Sequence, residues 1–504
     1  MKKNFLFILL IMVTAMATSQ ELNRSQDLSH LILNDTTGFY YLDTNNYPAG
    51  DLSLPIGVFD SGIGGLTVLD AIVNFDGFKN DTSLPGPDGK KDFIKEKFIY
   101  LADQANMPYG NYSAENKQGL LREHIIKDVQ FLLGQKYYPN GGSVQFNNDK
   151  SPVKALVIAC NTATAYGKET IEDFLKKANL DIKVIGVIDA GVRGALEIIE
   201  KDEDATIGVM ATVGTVDSKG YVNTIHLLKE QMGYTGKINV FQQGGIGIAE
   251  AVDEDTDYYD KNLESPRKNY KGPGLEGNSK IDKTLLDIYN FDFDGNKMLC
   301  DATTPGDCNI LQINDAENYV RYHMVSLLEQ IKKANTGIPL KSIILGCTHY
   351  PYLVAEINEV LDELYNYRES NGNYRYQAHM SSEITLIDPA VNTARELFQY
   401  LNETSLFNPA GDINDSEFYI SVANTDNPGV VIDENGNFPY DYKYGREEGV
   451  IQEYVKVVPF SRSNISEDIL SRLELQLPFT YKLIENFNET NPKTRILRKH
   501  EKIN

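Results

Sequence analysis

Short apolar runs recur along this chain, each too short for a free-standing helix and each followed by glycine, small or hydrogen-bonding residues. Runs of that kind read as buried strands. They fall at Pro55–Phe59, Phe98–Leu101, Ala155–Ala159, Lys183–Val187, Ala205–Met210, Ile238–Phe241, Ser342–Leu345, Ile384–Asp388 and Glu417–Val422. Helical stretches are predicted over 114–134, after Thr164, over Tyr319–Ala334 and near Glu467–Leu475. Strands alternating with helices imply βαβ units and an α/β fold with mainly parallel sheets. Ligands of such sheets sit beyond the carboxyl ends of the strands, so the residues that end each run are the candidates for chemistry.

Two runs end in cysteine. Ala155-Leu156-Val157-Ile158-Ala159 leads into Cys160-Asn161-Thr162, and Ser342-Ile343-Ile344-Leu345-Gly346 leads into Cys347-Thr348-His349. A thiolate on one face of a carbon can remove a proton while a thiol on the other face returns one, which inverts a stereocentre. Asp60, Glu250 and His349 stand at strand or loop ends, where they could tune those thiols. Each has a plainer reading: buried core cysteines, a helix cap at Asp60, a structural histidine. Two strand-end cysteines with polar successors weigh against the first. A Cys/His hydrolase using His349 as base, or a non-catalytic amino-acid binder, are the rivals. The run Pro55–Phe59 opens into Asp60-Ser61-Gly62-Ile63-Gly64-Gly65, whose spacing fits neither nucleotide fingerprint. Its backbone N–H groups suit a small carboxylate.

Composition narrows the partners. A net charge of -23 leaves no basic footprint for nucleic acid. Lys2-Lys3, the apolar Phe5–Val13 and the small residues Ala15–Ser19 form a predicted secretory signal peptide over 1–19. An exported protein is therefore expected, periplasmic or secreted, with no integral membrane segment after cleavage. Cys300 and Cys308, in a polar turn-rich segment, are then expected to form a disulfide. The stretch Asp292-Phe293-Asp294-Gly295-Asn296 misses the calcium-loop spacing and reads as a polar turn, so no metal site is expected. The region 252–315 reads as an acidic, weakly periodic insertion, and 20–53 as a surface extension.

Four stretches, in order, resemble the signatures of the glutamate racemase family. They are Ile56–Val68, Asp103 with Pro108-Tyr109-Gly110, Ala159–Ala163, and Leu345–Pro351. The resemblance implies a cofactor-independent isomerase of two pseudo-symmetric three-layer α/β domains, with the active site in the interdomain cleft. On this chain the first domain would take 54–187 and 387–504, the latter with an enlarged C-terminal part, and the second 188–386. Cys160 and Cys347 would be the acid/base thiols, Asp60 assisting the first, Glu250 and His349 the second. Asp60, Ser61, Pro108, Tyr109, Gly110, Asn161, Thr162, Thr212, Thr348 and His349 would hold the substrate. Glutamate is the expected substrate, with aspartate or another amino acid as the alternative. The chain departs from the family in its leader, in Gln242-Gln243 where a cysteine-proline run is usual, in Asp189-Ala190, and in its long loops. Those loops are expected to shield the site or to join two copies as a homodimer. The family ordinarily supplies D-glutamate to cytoplasmic cell-wall peptidoglycan synthesis, which an exported member would not.

Overall fold

A computed structural model describes residues 28–277 and 279–504. The predicted signal peptide lies outside the described residues. The described residues pack as two compact units, one of 28–187 with 393–504 and one within 188–392.

The first unit begins with β1 (Ile56–Asp60), α1 (Leu66–Val73), β2 (Phe98–Ala102), α2 (Gly110–Ala114), α3 (Gln118–Leu133), β3 (Ala155–Ile158), α4 (Asn161–Lys177) and β4 (Lys183–Gly186). β1, β2 and β3 are buried at every residue, which their unbroken apolar runs require of strands covered on both faces. The helix expected over 114–134 is split, because Asn116 takes a left-handed conformation between α2 and α3.

The second unit holds α5 (Val187–Glu197), β5 (Ala205–Ala211), α6 (Val213–Asp217), α7 (Gly220–Gln231), β6 (Ile238–Gly244) and α8 (Ile248–Val252). It continues with α9 (Leu286–Tyr289), β7 (Met298–Cys300), β8 (Leu311–Ile313), α10 (Ala316–Ala334), β9 (Leu340–Gly346), α11 (Val354–Asn366) and β10 (Met380–Ile387). β6 runs past the expected Phe241 because its pairing with β5 continues to Gly244. As an edge strand it tolerates the polar Gln242-Gln243. The region 252–315 is more than a surface loop. The loop joining its antiparallel β7–β8 pair is closed by the Cys300–Cys308 disulfide. Tyr289, Phe291, Met298, Leu311 and Ile313 join one buried cluster with Tyr319 and Val320 of α10. Sparse apolar residues separated by turns hide that periodicity in the sequence.

The chain returns to the first unit through α12 (Pro389–Glu403), β11 (Glu417–Ala423), α13 (Tyr440–Gly445), β12 (Val455–Pro459), α14 (Glu467–Gln476) and α15 (Pro478–Thr490). β12 and α15 were not expected. β12 pairs antiparallel with β11 at the sheet edge, and α15 starts with proline at its first turn, where the missing N–H costs nothing.

The two sheets share a connection pattern. The six-stranded sheet runs β12-β11-β2-β1-β3-β4 and the four-stranded one β10-β9-β5-β6. In each, the first strand sends the next to one side, and the third and fourth to the other. β1, β2, β3 and β4 thus correspond to β5, β6, β9 and β10, all parallel. The strand order reverses beside β1 in one sheet and beside β5 in the other. Such switch points open a crevice at the carboxyl ends of the strands.

Candidate functional site

In the first unit the switch point lies between β1 and β3, which pair in register from Ile56 with Ala155 to Phe59 with Ile158. β1 ends on Asp60, and Cys160 stands two residues beyond the end of β3. Cys160 is the N-cap of α4, with its sulfur accepting from Ala163 N–H at 3.4 Å. Burial pushes its thiol up to about 12, and the Asp60 carboxylate adds to the rise; the bonds from Ala163 and Ser61 pull the other way. A helix N-terminus favours a thiolate, but here burial wins, so the resting group is a thiol.

Asp60 works in two directions. One carboxylate oxygen accepts from Gly62 N–H at 3.1 Å and Gly65 N–H at 2.9 Å, which pins the glycine-rich turn. The carboxyl also hydrogen-bonds the Cys160 thiol, and burial raises it above the usual carboxylate range against all these bonds. Asp60 is therefore not the N-cap of α1, which is Gly65; its carboxyl holds the turn before that helix and faces the thiol. Gly65 allows the arrangement: a Cβ there would lie 2.8 Å from Asp60 Cγ and 2.9 Å from the Tyr100 hydroxyl. Ser61, Asn161 and Thr162 flank the thiol and are half-buried.

Tyr109 takes a different place from the one expected of a ligand group. Its side chain is buried, with the hydroxyl 2.6 Å from Asp103 and 2.7 Å from Asp128. One hydroxyl carries one proton, so one carboxyl must supply the other. Burial and the neighbouring Asp103 raise Asp128 well above its ordinary range, which makes Asp128 the protonated partner. The Tyr109 hydroxyl is thus committed inside the unit, while Pro108 is exposed and Gly110 half-buried beside it.

In the second unit the switch point lies between β5 and β9, with Ala211 opposite Gly346. Thr212 follows β5 and caps α6; Cys347 follows β9. The Cys347 sulfur is 3.6 Å from His349 Nδ1, and His349 Nε2 is 3.2 Å from Asp253. Thr348 Oγ1 lies 3.5 Å from the same Nδ1. Burial lowers the basicity of His349, but the bonds to Asp253 and Cys347 outweigh it and hold the imidazole up to about 10. An imidazolium therefore faces Cys347 at neutral pH.

Glu250 sits on α8, whose C-cap is Asp253; its carboxylate accepts from Gly247 N–H at 3.0 Å and caps that helix. The acid that reaches His349 is Asp253, three residues on. Asp253 was missed by sequence reasoning. Its signal was present, as a carboxylate one helical turn after Glu250, but only the fold sets which of the two meets the histidine.

No family model matches the chain. A glutamate racemase of Oceanobacillus iheyensis is 26% identical over 381 residues, covering 73% of this chain and 90% of the relative. One of Thermoanaerobacter pseudethanolicus is 26% identical over 371 residues, covering 73% and 88%. The chain is glutamate racemase-like. Among solved structures, a Bacillus anthracis glutamate racemase matches this racemase-like chain with a TM-score of 0.39 at 24% identity, covering 72% of this chain and 86% of that one. A Francisella tularensis glutamate racemase in complex with D-glutamate gives 0.39 at 21%, covering 79% and 95%.

Proposed function

We propose that the protein racemises an amino acid, glutamate first, by cofactor-independent two-base proton transfer between Cys160 and Cys347. The observation that carries this reading is the repeated placement of a thiol at each sheet's switch point, each with its own ionisable partner. In the reaction the Cα–H bond breaks and its proton goes to one sulfur. The electron pair stays on the substrate as a carbanion conjugated with its carboxylate. The other thiol then gives its S–H proton to the opposite face. Cys160, held as a thiol, is the resting acid; Asp60 can take up or return its proton. Cys347 is served by the His349 imidazolium, which Asp253 keeps charged. Ser61, Asn161, Thr162, Thr212 and Thr348 supply neutral hydrogen-bonding groups for the substrate's ammonium and carboxylate. Incubating each glutamate enantiomer in D2O tests the reading. Deuterium should enter the α-position with loss of optical rotation, and no exchange with both thiols reduced would reject it for glutamate. The same assay with aspartate and other amino acids sets the substrate range.

A second reading has one specific observation in its favour. Cys347, His349 and Asp253 also line up as a nucleophile, base and orienting acid for acyl transfer. Cys160→Ser separates the two: a Cys347 hydrolase keeps its turnover, whereas a racemase stops.

The same proposal extends to location. An exported form is supported by the apolar leader and by the Cys300–Cys308 disulfide, since such bonds persist in oxidising compartments. N-terminal sequencing of the protein from its native cells should begin near residue 20; an intact Met1 in a cytoplasmic fraction would overturn it. Light scattering of the purified full chain reports on the expected homodimer.

A further inference from the structure

The C-terminal part of the first unit makes a set of contacts that the reaction above does not use. Between Tyr440 and Gly449 the chain lies along 106–123, the stretch that carries Pro108-Tyr109-Gly110. Lys443 donates to the carbonyl of Met107, and the Tyr444 hydroxyl to that of Pro108 at 3.3 Å. Arg446 Nη2 donates to Asn106 Oδ1 at 2.7 Å and to the Tyr112 hydroxyl at 3.4 Å. Tyr440 reaches Glu115 at 2.7 Å and Gly449 N–H reaches Glu123 at 2.8 Å. The Tyr112 ring meets Tyr109 edge-on at 6.2 Å on one side and Tyr444 at 4.8 Å on the other.

Arg446 is the unusual member. It is 6% exposed, and among the described residues its Nη1 has no hydrogen-bond partner. Its guanidinium stands 4.8 Å from the Phe438 ring centre and 4.9 Å from that of Tyr454. Burying a cation with a donor unmet is costly, and ring faces offset only part of that cost. What the residue achieves is directional. Asn106 uses its carbonyl oxygen for Arg446 and its amide for Asp103, at 2.9 and 3.0 Å. Asp103 in turn accepts from Tyr109 and from Ser421. One guanidinium therefore fixes both ends of the 106–112 turn, at Asn106 and at Tyr112.

We propose that Arg446 is a positioning residue, and that 440–446 clamps the turn bearing Pro108 and Gly110 in the form that binds substrate. This rests on the racemase reading, in which Pro108 and Gly110 hold the substrate as the family resemblance implies, but the clamp itself can be read without turnover. In the full chain, Arg446→Met should raise KM about tenfold or more, with a smaller change in kcat. Arg446→Lys, which keeps the charge and loses the fork, should fall between Met and wild type. In the ligand-free protein, amide exchange should quicken across 106–112 and stay unchanged in β1 and β3. Unchanged KM with unchanged exchange overturns the proposal. Faster exchange throughout the unit also overturns it for Arg446, by making the residue a general stabiliser. Tyr444→Phe then decides the clamp: it keeps the ring against Tyr112 and deletes the hydroxyl's bonds to Pro108 and Asn111, so KM should rise a few-fold at unaltered Tm, and an unchanged KM ends the idea. If the wild-type protein exchanges no amino-acid α-proton, the racemase reading falls, and exchange at 106–112 alone judges the clamp.

Discussion

Cys160 and Cys347 both follow the third strand of a four-strand parallel set whose strand order reverses at its first strand, yet their surroundings differ in sign. Cys160 caps α4 and faces the carboxyl of Asp60, so burial and a negative neighbour keep its proton in place. Cys347 faces an imidazole that two hydrogen bonds hold in its cationic form. Two-base racemisation needs one group ready to give a proton while the other is ready to take one. On the two-base proposal, these unlike partners are what would let one thiol give a proton while the other takes one.

The largest expected effect breaks the pair outright. Cys160→Ser and Cys347→Ser should each cut racemisation by about 10³-fold or more, because a hydroxyl is far less acidic than a thiol. Chiral chromatography of the products checks it, and a serine variant retaining a tenth of wild-type activity would remove that cysteine from the mechanism.

Next comes the relay on the Cys347 side. Asp253→Asn should lower kcat/KM by about 10²-fold and leave the Cys160 side unaltered. It should also move the alkaline limb of the rate profile. His349 is raised from 6.5 to about 10, so the stability its charge contributes is fully present below about 6.5 and lost as pH climbs through about 10. Removing the Asp253 charge should bring both the alkaline limb and the alkaline loss of Tm down toward neutral pH. Glu250→Gln should shift neither, and a shift with Glu250 rather than Asp253 would reverse the assignment made from the 3.2 Å contact.

Asp60→Asn sharpens the other side. The Asp60 charge helps raise Cys160, so its removal should lower the pH at which iodoacetamide alkylates that thiol. The alkylation profile of Cys347 should stay where it is. A rise at Cys160 would reject the Asp60 charge as a cause of its raised thiol.

The smallest effect lies in the turns behind the thiols. Gly65→Ala and Gly346→Ala place a methyl group 2.8 Å from Asp60 Cγ and 2.8 Å from the Tyr221 ring respectively. Each should cost about 1–3 kcal/mol, visible as a lower Tm. Gly65→Ala should also disturb the Asp60–Cys160 contact and reduce activity further than its stability loss explains. Equal activity losses in the two variants would remove the distinction.

Much of this was legible before folding was considered. Unbroken apolar runs marked the buried strands, because a strand covered on both faces has no polar position to spare. Cysteine, aspartate and histidine at the ends of those runs marked the chemistry. The misses differ in cause. The packed 252–315 region holds few apolar residues between turns, and its periodicity shows only when the partner surface is present, whereas β12 is apolar at Val455, Val457 and Val458 and carried its strand signal in the sequence. The inward turn of Tyr109 depends on Asp103 and Asp128, one from the end of β2 and one from α3.

The amino-acid sequence by itself determined the α/β class, the strand-end cysteines and the acid before the glycine-rich turn, since these follow from local period and from order along the chain. Tertiary structure alone decided which carboxylate meets His349 and that a segment near residue 446 holds the turn at Asn106. Both are contacts between groups distant in sequence, where angstroms of backbone placement choose among several equally charged candidates. No local pattern carries that information, because electrostatic tuning depends on separation and burial rather than on order.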